Sequence, residues 1–185
     1  MQIVDLAERG DKLIRQVAVM LLETFRNISP EAWPDMDAAM HEVQDSLGPG
    51  RLSRVAVDPD NNVLGWIGGI PQYRGHVWEL HPLVVRPEDR EKGIGRALVQ
   101  DLETLVRKRG ALTLWVGADD ESGQTSLAGM DLFPGPLEKL EKIRNINRHP
   151  YEFYLKLGFE LVGVMPDANG PGKPDIYLAK SLRRQ

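Results

Sequence analysis

Residues 76–96 read HVWELHPLVVRPEDREKGIGR, and the fold turns on how this stretch is read. Trp78, Leu80, Leu83, Val84 and Val85 have the aromatic and branched character of a buried strand. Glu79 and His81 place two ionisable groups in it, and Pro82 lacks the amide hydrogen a ladder needs. On a regular strand Glu79, His81, Leu83 and Val85 share one face, and Trp78, Leu80 and Val84 take the other. A proline belongs at an edge or a bulge, and a bulge at Pro82 would change that phase locally. Next comes Arg90-Glu91-Lys92-Gly93-Ile94-Gly95-Arg96-Ala97, after which Ile94, Leu98, Leu102 and Leu105 mark a helix closed by Gly110. Amides at a helix start point outward unpaired and attract phosphate, and Gly93 and Gly95 let a ligand approach the backbone. Arg90, Lys92 and Arg96 add positive charge. A dinucleotide fingerprint requires glycine where Leu98 stands, and a Walker loop requires Gly-Lys-Ser/Thr; both are absent. The remaining pattern, R-x-x-G-x-G, reads equally as a pyrophosphate turn or as a glycine-softened strand-to-helix connection.

Working outward, RVAVD (54–58), VLGWIGGI (63–70) and residues 76–86 are strands joined by the turns DPDNN and PQYRG, an antiparallel meander. Before them, a short strand at 2–6 precedes an amphipathic helix carrying Leu13, Ile14, Val17, Ala18, Leu21, Leu22 and Phe25. A second helix starts near Asp35 and ends at Gly48-Pro49. After the glycine turn and its helix, ALTLWVG (111–117) is a buried strand; a strand-turn-helix-strand unit normally sets its two strands parallel. Residues 119–148 are the least legible, with Leu137, Leu140 and Ile143 suggesting one helix. Tyr151, Tyr154 and Leu155 suggest another, stopped by Gly158, and FELVGVM (159–165) and DIYLAKSL (175–182) are the last strands. The expectation is one α+β domain over residues 1–185 with a mixed sheet.

The bulk properties narrow the classes. The chain has 185 residues, 27% of them charged, and a net charge of −4, ordinary globular values that argue against a nucleic-acid partner. With no cysteine there is no disulfide framework, thiolate metal site or cysteine nucleophile. His41, His76 and His149 are too scattered to suggest a metal site, and none is expected. No apolar run reaches the roughly 18–20 residues of a membrane helix, and the N-terminus has no signal-peptide pattern, so a cytoplasmic protein is expected.

The R-x-x-G-x-G turn after a strand ending in V-x-P resembles the acetyl-CoA site of the GCN5-related N-acetyltransferases (GNAT). A second stretch, NRHPYEFYLKLGF (147–159), resembles that family's N-x-x-A-x-x-F/L-Y-x-x-x-G-F segment, with Pro150 in place of the usual alanine. WELHPLVV, WVGADDESGQTSL, IRNINRHPYEFYLKLGF and PDANGPGKPDIYLAKSL resemble the aminoglycoside 6′-N-acetyltransferases within it; residues 1–74 carry less of the likeness, Trp33-Pro34 being the best point of contact. The resemblance implies a mixed, centrally splayed β-sheet flanked by helices, and acetyl-CoA as co-substrate. Val84, Val85, Arg90, Glu91, Lys92, Gly93, Ile94, Gly95, Arg96, Ala97 and Asn147 would hold the coenzyme. It also implies a polycationic aminoglycoside acceptor and a homodimer.

Acetyl transfer to an amine needs the neutral amine, and an ordinary alkyl ammonium titrates near 10.4, so deprotonation at pH 7 costs about 4–5 kcal/mol. A base is therefore useful, and the developing oxyanion needs a donor. Glu79 is the leading candidate to bind and deprotonate the amine; His81 either assists it, orients it, or is a satisfied structural histidine. The resemblance makes the Leu83 backbone amide the oxyanion donor and Tyr154 the acid for the departing thiolate, although Tyr151, Phe153 and Tyr154 are also what a packed helix face looks like. Asn147 is otherwise a cap for the following helix. Asp119 and Asp120 are candidate carboxylates for a polycation, or a solvated acidic turn. Trp33 would stack on a sugar ring or sit in the core, and Asp167 is a weaker substrate candidate. Two other functions fit the glycine turn: acetylation of another amine, such as a polyamine or a protein N-terminus, and a non-catalytic acyl-CoA-binding regulatory module.

Overall fold

Four antiparallel strands dominate the first part of the chain: β1 (Gln2–Asp5), β2 (Leu52–Val57), β3 (Val63–Gln72) and β4 (Val77–Val85), neighbours in that order. They belong to the unit Met1–Leu112, one of two compact units; Thr113–Gln185 is the other. The computed structural model describes residues 1–26 and 29–183. Helices α1 (Asp11–Phe25) and α2 (Met36–Asp45) cover one face of this antiparallel sheet, and α3 (Ile94–Lys108) covers the other. The predicted helices and strands are present, with ends moved by one to three residues. Asp35 starts α2 as expected, its carboxylate accepting from the Ala38 amide at 2.9 Å.

Adjacent residues of β3 decide which helix lies on which side. Trp66 is fully buried in a cluster with Val17 and Leu21 of α1 and Val43 of α2. Each fully buried aliphatic side chain of this kind contributes about 1.5–3 kcal/mol. Gly65 and Gly69 point the opposite way, and the space their side chains would fill is taken by Ile94, Leu98 and Leu102 of α3. Two polar pairs lie in the interior: Trp66 Nε1 donates to Ser53 Oγ at 2.9 Å, and Ser46 Oγ donates to the Val43 carbonyl at 2.6 Å. Arg54 on β2 reaches Asp101 on α3 at 2.7 Å, tying the helix to the sheet.

The expected irregularity at Pro82 is a bulge. Gly69 pairs with Leu80 and Ile67 with Leu83, so His81 and Pro82 together oppose Gly68. The His81–Pro82 peptide is cis. A Cβ on Gly68 would lie 2.1 Å from the His81 carbonyl oxygen, so only glycine fits opposite the bulge. The bulge resets the side-chain phase. Leu80 and Trp78 pair with Gly69 and Pro71 on the α3 side, which leaves Glu79 and His81 on the α1–α2 side. Beyond the bulge Leu83 and Val85 pair with Ile67 and Gly65 on the α3 side, and Val84 joins Trp66 on the α1–α2 side. The regular-strand expectation that Glu79, His81, Leu83 and Val85 share one face is thus corrected: the first two share a face, and the extra residue turns the last two to the other.

The second unit holds β5 (Thr113–Asp119), the short helices α4 (Pro136–Leu140) and α5 (Tyr151–Leu155), β6 (Glu160–Met165) and β7 (Asp175–Ser181). Strand β7 lies between β5 and β6, antiparallel to both. Its core gathers Leu114, Phe159, Ile176 and Leu178. The stretch that was hardest to read, 119–148, is mostly irregular, and polar side chains hold it in place. Among the described residues, no helix is long and apolar enough to cross a membrane.

Candidate active site

Glu79 sits half-buried on β4, and its hairpin partner β3 supplies a neighbour. Gln72 pairs with Val77, two residues before Glu79, a diagonal within reach of long side chains on one face. The Gln72 amide nitrogen donates to Glu79 Oε2 at 2.6 Å. Burial raises the Glu79 carboxyl above the ordinary glutamate range, and the charges of His81 and Arg51 pull the other way. A carboxyl in this state accepts a proton more readily than a free glutamate. His81, two residues along the same face, places Nε2 3.8 Å from Glu42 Oε1 on α2. The ring of Trp33 lies 6.5 Å from that of His81 and packs edge-on against Phe25 at 4.9 Å. Trp33 is partly buried against the core cluster, so it is both a packing residue and a wall beside His81. Of the residues expected here, Glu79, His81 and Trp33 come together. Gln72, Glu42 and Arg51 were missed, because only the hairpin register and the placement of α2 bring them in.

Past the bulge the backbone of β4 becomes the relevant group. The Arg86 amide donates to the Leu64 carbonyl at 3.0 Å, which marks 64 and 86 as a hydrogen-bonding pair. Such pairs alternate in an antiparallel ladder, so Leu83 and Val85 turn their N–H and C=O groups away from β3. The strand then runs into the glycine turn. Gly93 adopts φ +83 as the N-cap of α3, a left-handed conformation that favours glycine, and no side chain caps the helix. A Cβ at Gly93 would meet nothing within 4 Å, so the space beside this residue is open. Arg90 and Arg96 are exposed beside them, and Lys92 is held by Asp89 at 2.8 Å. Open first-turn amides, the positive end of a 15-residue helix and two exposed guanidinium groups fit a pyrophosphate.

The other candidates lie in the second unit and differ sharply in exposure. Tyr154 is buried between Phe153 and Phe159, and burial pushes its hydroxyl far above the usual phenol range, so it stays protonated at neutral pH. Asn147 is exposed, and its backbone pairs with Gln124. It does not cap α5, whose N-cap is Pro150 with no side-chain bond. Asp119 is exposed and accepts from Asn169 at 2.5 Å; Asp167 is exposed and accepts from the Gly172 amide at 2.7 Å, ordering its loop. Asp120 is fully buried. Its oxygens accept from the Gln124 amide at 2.6 Å, the Thr125 amide at 2.8 Å and the Thr125 hydroxyl at 2.6 Å. The solvated acidic pair read from Asp119-Asp120 is therefore split, since Asp120 is spent on the loop and only Asp119 reaches the surface. His149 is also buried. Its Nδ1 accepts from the Tyr151 amide at 3.2 Å, which makes Nε2 the protonated nitrogen facing the Asp119 carbonyl at 3.2 Å. Among the described residues, no group of acidic, histidine or cysteine side chains is arranged to hold a metal ion.

A helix start open to a pyrophosphate, fed by a bulged strand that carries a half-buried glutamate, is an arrangement that suits an acyl-coenzyme A-dependent transferase. The sequence model of the acetyltransferase (GNAT) family matches residues 17–125, and the chain belongs to that family. Among solved structures it is similar to an aminoglycoside 6′-N-acetyltransferase complexed with coenzyme A. The identity is 39% over 100% of this chain and 99% of the other, with a TM-score of 0.90. It is similar to the aminoglycoside 6′-N-acetyltransferase from Enterococcus faecium at 39% identity, the same coverage and a TM-score of 0.88. An aminoglycoside 6′-acetyltransferase type Ii matches at 36% identity and a TM-score of 0.75, again over 100% and 99%. No curated protein matches the chain. The likeness includes residues 1–74, where the sequence motifs were thin.

Proposed function

We propose that the protein transfers the acetyl group of acetyl-CoA to the 6′ primary amine of an aminoglycoside, with residues 1–185 acting as one acetyl-CoA-dependent domain. The observation that carries the reading is the placement of Glu79. A half-buried carboxylate with a raised pKa lies on the same strand that leads, past the bulge, to the helix start suited to a pyrophosphate. Support for the acceptor class comes from full-length likeness to enzymes of that name.

Acetyl-CoA supplies an activated thioester when bound. Val84, Val85, Arg90, Glu91, Lys92, Gly93, Ile94, Gly95, Arg96, Ala97 and Asn147 are the residues proposed to hold it. Glu79 takes the proton from the acceptor ammonium, which restores the lone pair that attacks. Its raised pKa narrows the gap to the amine and makes that transfer less uphill. The Leu83 amide, turned away from β3, donates to the oxygen that becomes negative. Tyr154, a protonated phenol at neutral pH, supplies the proton for the leaving sulfur and regains one through solvent, balanced by the second proton that the nitrogen sheds as the amide forms. His81 and Trp33 line the acceptor side, and Asp119 and Asp167 offer exposed carboxylates to other ammonium groups of the substrate. The reading extends to a homodimer in the cytoplasm whose activity protects a cell against aminoglycosides.

The test is thiol release from acetyl-CoA with kanamycin and related aminoglycosides, set against polyamines and peptide N-termini, with acceptors ranked by kcat/KM. Aminoglycosides should rank first, with the product acetylated at the 6′ nitrogen by NMR. No thiol release with any aminoglycoside removes the reading. Light scattering of the purified protein checks the dimer, and drug susceptibility of an expressing strain checks protection.

A further inference from the structure

The hydrogen bond from Gln72 to Glu79 is not needed to build the hairpin, since the β3–β4 ladder is already made by backbone pairing on both sides of it. The Gln72 amide reaches a carboxylate that burial disfavours as an anion, at 2.6 Å, the short range of a charge-assisted bond. Register brings the two together: Gln72, Ile70, Glu79 and His81 lie on one face, and Gln72 and Glu79 are diagonal neighbours. The strand ends at Gln72, because Tyr73 and Arg74 turn with φ of 47 and 61. Gln72 is thereby fixed where a mobile loop residue would not be.

We propose that Gln72 is a positioning residue for Glu79: its amide holds Oε2 and leaves the other carboxylate oxygen to meet the acceptor's ammonium. This rests on the role given to Glu79 above. The bond has two consequences. It fixes the rotamer of the carboxylate, so the acceptor meets a preset oxygen. It also stabilises the anion against the burial that surrounds it, because a donor to the charged form favours that form. The other charges facing Glu79 are His81 on β4 and Arg51 before β2, with Glu42 on α2 opposite His81. All remain when Gln72 is changed.

The experiment compares Gln72→Leu and Gln72→Glu with the unaltered protein, alone and combined with Glu79→Gln. Gln72→Leu keeps approximate size and removes the donor; Gln72→Glu replaces the donor with a second carboxylate. Both should lower kcat/KM, Gln72→Leu by about tenfold, the scale of one hydrogen bond to a charged group. Both should move the acidic limb of the pH profile upward, Gln72→Glu further. In the Glu79→Gln background, Gln72→Leu should cost almost nothing more, because a residue that acts through Glu79 has no separate effect. A second readout needs no turnover: the Glu79 side-chain carbon, followed by NMR titration and assigned by its loss in Glu79→Gln, should titrate at higher pH in Gln72→Leu. An unchanged titration overturns the proposal, as does an equal loss of activity with and without Glu79. If Gln72→Leu does not fold, Gln72→Glu carries both measurements. Should the protein acetylate no amine, the function proposed above fails while the titration still decides the role of Gln72.

Discussion

Each unit contains an acid and a histidine that a reader of the sequence would circle, and the two pairs have opposite fates. In the first, Glu79 and His81 are half-buried on one face of a bulged strand, with His81 3.8 Å from Glu42 and Gln72 holding one oxygen of Glu79. In the second, Asp120 and His149 are at 0% and 2% exposure, and protein donors and acceptors occupy them. Chemistry needs a group that is desolvated enough to be reactive and still reachable. Loop anchoring needs a group that is buried and satisfied. Burial and hydrogen-bond count separate the two, whereas residue type does not.

The comparison can be broken from either side. Glu79→Gln should lower kcat/KM by about 10²–10⁴ and leave the thermal unfolding midpoint nearly unchanged. In the unaltered protein, activity should fall with decreasing pH from above the ordinary glutamate range, since the carboxyl is raised and must be ionised to act as base; the variant should lose that limb. Asp120→Ala should do the reverse. It strips two amides and a hydroxyl of their acceptor, and a stability loss of about 3 kcal/mol is expected in denaturant unfolding. Wild-type stability in Asp120→Ala would show that the buried pair is not an anchor.

Gly68→Ala joins the two kinds of effect. Its methyl would meet the His81 carbonyl, so the ladder must open at the bulge. A loss of about 2–3 kcal/mol is expected, with kcat reduced as well because Glu79 and His81 shift together. A stable Gly68→Ala with altered kinetics would sharpen the case that the bulge aims the acceptor face.

The smallest effect concerns His149. Burial lowers its pKa below the free value of 6.5, so the folded protein holds the ring neutral while the unfolded chain protonates it first. The stability this contributes is complete above pH 6.5 and is lost as pH falls toward the lower folded value. Thermal unfolding midpoints across pH 5–8 should show that decline, and His149→Gln should flatten it. An unchanged profile in the variant would assign the decline to other groups.

The glycine turn was legible because its requirements are local: a strand end, a left-handed residue at Gly93 and a helix start all lie within a few positions. The helix stripe of α1 and the alternation in β2–β4 were legible for the same reason, since apolar periodicity is written along the chain. Asp120 misled because a run of acidic residues looks solvated until the backbone folds back on it. Gln72 left no mark at all, being one glutamine at the end of a strand. Only the β3–β4 register brings it to Glu79.

By itself, then, the sequence determined the α+β class, the order of elements and the glycine turn, and it singled out Glu79 as a candidate, since each rests on periodicity or on motifs short enough to be read in place. Tertiary structure alone decided which face each residue of 78–85 takes, because one extra residue at Pro82 reverses the phase and the pairing with β3 locates it. It also decided which acids are exposed and which are buried. That depends on donors that arrive from elsewhere in the chain, and on burial, which no single residue carries in its name.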